Sequence, residues 1–99
     1  MANFILSNKA VEDLSKIWNY TFDYWSERQA DNYYYMLLEN SKEIAMHPNI
    51  GKNYEEIMEQ LFGFRAGRHI IFYRKVNVNK VEITRILHEQ MAIKNRIIE

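Results

Sequence analysis

The stretch His69-Ile70-Ile71-Phe72-Tyr73-Arg74-Lys75-Val76 constrains this chain more than any other. In an extended segment successive side chains point to opposite faces, so Ile70 and Phe72 lie on one side and Ile71 and Tyr73 on the other. A strand apolar on both sides sits in the middle of a sheet and is covered twice. Asn77-Val78-Asn79 supplies turn chemistry after it. Val81, Ile83 and Leu87 then alternate with Glu82 and Thr84, the period of a further strand. Ahead of it Phe62, Phe64 and Ala66 alternate with Leu61 and Arg65, and Gly67 permits a tight turn. The last third therefore reads as a three-stranded antiparallel meander.

The first half has a different period. Phe4-Ile5-Leu6 is too short for a helix and suits an edge strand. Ser7 is a helix N-cap, with Glu12 and Asp13 early in the helix that follows. Val11, Leu14, Trp18, Phe22 and Trp25 recur at spacings of three and four and predict an amphipathic helix of about five turns packed by that stripe. A break at Ser26 or Glu27 precedes a second stripe of Ala30, Tyr33, Tyr34, Leu37, Ser41 and Ile44, running to about Met46. Pro48 disfavours helix at His47, and residues 53–59 read as loop. Residues 92–99 form one helical turn or stay loose. The whole is an α+β fold, β-α-α-β-β-β, with a helical hairpin packed on one face of a small antiparallel sheet. The hairpin covers one face only. The other is expected to expose part of Ile71, Tyr73, Ile86 and Met91, an apolar patch that another chain would fill.

Ninety-nine residues suffice for a single domain over 1–99 with a modest core. Cysteine is absent, so no disulfide or thiol chemistry is available. No apolar run approaches the roughly 20 residues of a membrane span, and the N-terminus lacks the pattern of a signal peptide. A cytoplasmic location is the default. Formal charge sums to zero but is divided: residues 1–64 carry five Lys/Arg against ten Asp/Glu, and residues 65–99 carry eight against three. A split of this kind suits a basic face that meets an acidic partner, or two halves that neutralise each other.

Arg65, Arg68, Arg74 and Arg85 lie on the predicted strands or their turns, where guanidinium groups suit carboxylate or phosphate recognition. Strict alternation places Arg85 on the face of Val81, Ile83 and Leu87. There it needs a partner, whether Glu12, Asp13 or a C-terminal carboxylate, or a group on a target. His69 and His88 fall on adjacent strands and can approach each other for acid–base work, or each can bond backbone at a strand end. His47 belongs to a surface loop. The three histidines lack the spacing of a metal site, and no cofactor motif is present. Tyr20, Tyr24 and Tyr35 fall off the helical stripes and suit an exposed partner surface, whereas Trp18, Phe22 and Trp25 read as hairpin packing.

Gly67-Arg68-His69-Ile70-Ile71-Phe72-Tyr73-Arg74, followed by Arg85-Ile86-Leu87-His88-Glu89-Gln90-Met91, resembles the ParE branch of the ParE/RelE toxin superfamily. Gln90 and Ala92 depart from that pattern, which carries Arg and Asp around Met91. The resemblance implies the toxic half of a type II toxin–antitoxin pair. It implies a hetero-oligomer with a cognate antitoxin, ParD-like or other, and DNA gyrase as the target. The alternative in the same superfamily is a RelE-type ribosome-dependent mRNA endonuclease. RelE-like nucleases carry lysines on the strand after the loop and a Tyr, Phe or His near the C-terminus; here residues 61–66 have Arg65 but no lysine and residues 93–99 have no aromatic, while Arg85 and His88 keep that alternative open. Under the gyrase reading Arg85, His88 and Met91 touch the target, and Tyr20, Tyr24, Arg68, Ile71, Tyr73 and Arg74 touch the antitoxin. Under the nuclease reading Arg65, Arg85 and His88 are the catalytic candidates.

Overall fold

The structure, a computed structural model, describes residues 2–91 and 93–97. Its elements follow in the order β1 (Asn3–Leu6), α1 (Asn8–Tyr24), α2 (Glu27–Met46), β2 (Lys52–Asn53), β3 (Phe62–Ala66), β4 (His69–Asn77), β5 (Lys80–His88) and α3 (Ile93–Ile97). The strands form one sheet in the order β1-β5-β4-β3-β2. The meander is antiparallel as the periodicity predicts. The sheet as a whole is mixed, because β1 runs parallel to β5 from Asn3↔Lys80 to Leu6↔Ile83. A fifth strand, β2, pairs with β3 through two residues that the sequence assigns to a turn and a loop.

Both long helices begin on serine. The Ser7 hydroxyl accepts from Ala10 N at 3.0 Å, and that of Ser26 from Gln29 N at 3.1 Å, each satisfying an otherwise unpaired helical N–H. Ser7 also donates to Thr84 O at 2.7 Å, so one residue caps α1 and ties it to β5.

The inward face of α1 is not the predicted stripe. Ala10, Asp13 and Leu14 are buried and Ile17 packs behind them, while Val11, Phe22 and Trp25 face solvent. Trp18 stacks on Phe22 with ring centroids 5.2 Å apart and donates to Asp31 at 3.0 Å. The two candidate stripes differ by one position around the helix. The small residue at 10 lets α1 approach the sheet closely, and the bulkier row is left outside. On α2 the predicted face holds: Ala30, Leu37, Ser41 and Ile44 are buried.

The sheet faces are also assigned differently. Ile71, Tyr73, Val81, Ile83 and Ile86 form the core beneath the helices with Leu14, Leu37 and Ile44. Ile71 and Tyr73 are completely buried, so neither belongs to an exposed patch or offers an antitoxin a surface. The other face carries Leu61, Phe72 and Leu87, covered by Tyr54 and Ile57 and by Ile93 and Ile97 of α3. A register shift explains why Leu87 leaves the face of Val81 and Ile83: Phe72 pairs with Arg85 but Tyr73 pairs with Ile83, leaving Thr84 as an extra residue. Such a bulge inverts the phase of everything beyond it. Among the described residues no helix is long and apolar enough to cross a membrane.

Candidate functional site

The pairing of β4 with β5 sets His69 opposite His88 at the end of the sheet nearest the start of α2. Their rings meet edge to face with centroids 5.3 Å apart. Tyr33, on the inward side of α2, places its hydroxyl 2.6 Å from His69 Nδ1 and accepts from Arg68 N at 3.0 Å. Gln90 N donates to His88 Nδ1 at 3.1 Å. The β3–β4 turn permits this contact because Gly67 has φ +61°, a left-handed conformation, and a Cβ there would stand 2.8 Å from the Tyr33 hydroxyl. Burial, and then the nearby His88, lower the His69 pKa to about 4. Burial pushes the Tyr33 phenol up from its ordinary value. Both groups are neutral near pH 7.

Two adjoining clefts open over this pair. One is walled by Tyr20, Trp25, Tyr33, Met36 and Arg68, the other by Lys16, Ile17, Gln90 and Met91; Tyr20, Thr21, His69 and His88 line both. Their walls are mainly apolar. Beside the clefts Tyr20 and Tyr24 pack with centroids 4.6 Å apart, and Trp25, which lines one of them, stands exposed. An aromatic surface of this extent beside a polar floor has the character of an interface.

The predicted site residues divide. Of the expected antitoxin contacts, Tyr20, Tyr24 and Arg68 lie at this end, whereas Arg74 is further along β4 and ion-paired with Glu82 at 3.3 Å. Arg85, His88 and Met91, the proposed target contacts, do share one cleft, with Asp13, Lys16 and Arg96. Of the nuclease candidates, Arg85 and His88 line that cleft but Arg65 does not join them. Arg65 pairs with Glu89 and stands in register with Ile70, on the sheet face away from His88. Arg85 is held by the Asp13 carboxylate through Nε at 2.8 Å and Nη2 at 3.1 Å, and donates to Arg96 O at 2.6 Å. Of the partners expected for Arg85, Asp13 serves, while the C-terminal carboxylate lies outside the described residues, as does Ala92. Among the described residues no cluster of three or more His, Asp or Glu is placed to hold a metal.

Tyr33 is the site residue that sequence reasoning missed, being read only as part of an apolar stripe. A usable signal was present: a tyrosine on a buried stripe must find a partner for its hydroxyl.

The sheet topology and hairpin are shared with toxins solved with their antitoxins. The described fold superposes on a chain of the "Chromosomal ParDE TA system from P. aeruginosa" with a TM-score of 0.76 at 17% identity, covering 89% of this chain and 96% of that one. It also superposes on a chain of the toxin–antitoxin complex RelBE2 of Mycobacterium tuberculosis with a TM-score of 0.63 at 20% identity, covering 89% and 98%. The fold is thus that of the ParE/RelE toxins. In sequence, residues 4–93 match the family described as "ParE toxin of type II toxin-antitoxin system, parDE". Toxin ParE1 of Caulobacter vibrioides is 37% identical over 91 residues, 92% of this chain and 93% of that protein. Toxin ParE1 of Mycobacterium tuberculosis strain H37Rv is 32% identical over 92 residues, 93% and 94%. The chain belongs to the ParE toxin family of type II toxin–antitoxin systems.

Proposed function

We propose that this toxin acts in the cytoplasm on DNA gyrase and is neutralised by direct binding of a cognate antitoxin protein. The observation that carries the target assignment is the dispersal of the cationic side chains. Arg65 and Arg85 are each engaged by a carboxylate, and Arg65 lies on the sheet face away from His88, so the three nuclease candidates do not gather around one scissile phosphate. A poison that works by occupying its target needs a surface, and Arg85, His88 and Met91 provide one along a single cleft. The antitoxin reading rests on the exposed aromatic group of Tyr20, Tyr24 and Trp25, which a partner would cover.

The juxtaposition of Tyr33, His69 and His88 favours a second reading, RelE-type cleavage of ribosome-bound mRNA. One experiment separates the two. On induction, the gyrase reading expects chromosome breaks and filamentation before protein synthesis falls. Early cleavage of mRNA within ribosomes, with intact chromosomes, would establish the nuclease reading instead. Co-expression with the product of the adjacent gene should yield a stable complex and restore growth; a chain that neither binds that product nor is silenced by it would refute the antitoxin assignment.

A further inference from the structure

We infer that His69 and His88 form a two-donor receptacle for a carboxylate side chain carried on an apolar segment of a partner protein. The inference rests on the reading above that a partner covers this end of the molecule, and adds what the partner must bring.

The argument begins with protons. A neutral imidazole has one donor nitrogen and one acceptor nitrogen, and the bond made by one fixes the role of the other. Gln90 N is a backbone amide and can only donate, so His88 Nδ1 accepts and Nε2 carries the hydrogen. Arg68 N likewise can only donate, and it occupies the acceptor side of the Tyr33 oxygen. With the Tyr33 hydroxyl as donor to His69 Nδ1, 2.6 Å away, His69 also carries its hydrogen on Nε2, and this is the tautomer the receptacle requires. One backbone amide sets the His88 tautomer, and donation from Tyr33 gives His69 the same one. A metal ion would need the lone pair at Nε2, where this tautomer holds the proton.

The surroundings select among anions. Lys16 lines the cleft on one side and Arg68 on the other. Ile17, Tyr20, Trp25 and Met91 make the walls of these two clefts mainly apolar, while on the β5 side the same rings border a third cleft with Asp13, Arg85 and Arg96, where Asp13 holds Arg85. Neutral donors between apolar walls suit a single carboxylate flanked by apolar or aromatic groups. A run of phosphodiesters would require more cations and less apolar wall.

The test uses the purified chain and three probes: 3-phenylpropionate, its uncharged amide, and phenyl phosphate. Long-range nitrogen–proton NMR at pH 7 reads the tautomers, and both rings should carry the proton on Nε2. Titration with 3-phenylpropionate should shift both Nε2 resonances, with the amide binding roughly tenfold more weakly, the equivalent of one charge-assisted hydrogen bond. Y33F should release the His69 tautomer, and His88→Phe, which keeps the ring bulk, should abolish the preference for the carboxylate. A proton on Nδ1 in either ring would overturn the inference. So would equal binding of acid and amide, or binding of phenyl phosphate in place of the carboxylate. None of these readouts requires an antitoxin. If they fail while the neighbouring gene's product still binds, only the receptacle is lost. If they succeed while that product does not bind, the antitoxin reading falls and the receptacle stands.

Discussion

Asp13 takes the place of a missing strand beside Arg85. The parallel pairing of β1 with β5 ends at Leu6↔Ile83, where the chain turns into α1. One helical turn and a half later, Asp13 returns its carboxylate to the same edge of β5. There it accepts from Ile86 N at 3.0 Å and takes the Arg85 guanidinium through two nitrogens. One buried side chain completes the sheet edge and neutralises the arginine.

Arg85→Ala should therefore destabilise the fold by about 3–5 kcal/mol, since it leaves a buried carboxylate with no counter-ion. Arg85→Lys should cost less, because the charge remains although the two-pronged geometry is lost. Chemical denaturation gives both values. An alanine variant within about 0.5 kcal/mol of the parent, the range of ordinary surface changes, would show that the pair has no structural role. Any loss of toxicity on changing Arg85 must be read against this effect.

Tyr73 secures the loop after α2. Its hydroxyl donates to Pro48 O at 2.7 Å and accepts from Gly51 N at 3.0 Å. Tyr73→Phe removes both bonds from a buried position and should cost about 1–3 kcal/mol. Gly51→Ala should also destabilise, because the added Cβ would lie 2.4 Å from that hydroxyl. Tyr73→Phe removes the hydroxyl but keeps Cε1 and Cζ, which would lie 2.8 and 2.9 Å from that Cβ, so in thermal unfolding the double variant should lose less than the sum of the two single changes; strictly additive losses would show that the hydroxyl is not their shared contact.

His69 makes stability depend on pH with a definite sign. Its folded value is about 4 against 6.5 when free. Between those values the unfolded chain binds more protons, so unfolding free energy rises with pH across the window. The contribution is complete above about pH 6.5 and is lost as pH falls through about 4. Urea unfolding at intervals from pH 7 to 4 should show a steeper loss for the parent than for His69→Gln. Identical slopes would mean that His69 titrates normally in the folded chain.

The sequence disclosed elements better than faces. Ser7 marks the start of α1 because capping is local chemistry, the period-two stretches mark β3, β4 and β5 for the same reason, and Ser26 reads only as a break although it caps α2. The inward side of α1 was misread because Val11-Trp18-Phe22 is as regular a stripe as Ala10-Leu14-Ile17, and only the sheet decides between them. Arg85 and Leu87 were placed by strict alternation, which a bulge at Thr84 breaks without any turn residue to announce it. The His69–His88 pair was legible from hairpin register. Its tether to Tyr33 was not, since it joins α2 to β4 across the molecule.

Met91 and His88 allow toxicity to be separated from stability. Removing everything after Leu87 would uncover Leu61, Phe72 and Leu87 by taking away Ile93 and Ile97, and would also remove the Arg96 carbonyl that Arg85 holds. Such a truncation is a folding lesion, so point changes are the cleaner probe. Met91 is exposed, and Met91→Ala should leave the unfolding midpoint of the antitoxin complex within a degree or two, as small surface changes do. His88→Ala removes a side-chain bond to Gln90 N at the sheet end and should cost ~1 kcal/mol. If this cleft docks on the target, each variant should weaken inhibition of gyrase-dependent supercoiling by roughly tenfold, the effect of losing one well-packed interface contact. Variants that fold, bind antitoxin and still inhibit fully would remove the target surface from this end of the sheet. Attention would then move to Arg65 on the opposite face.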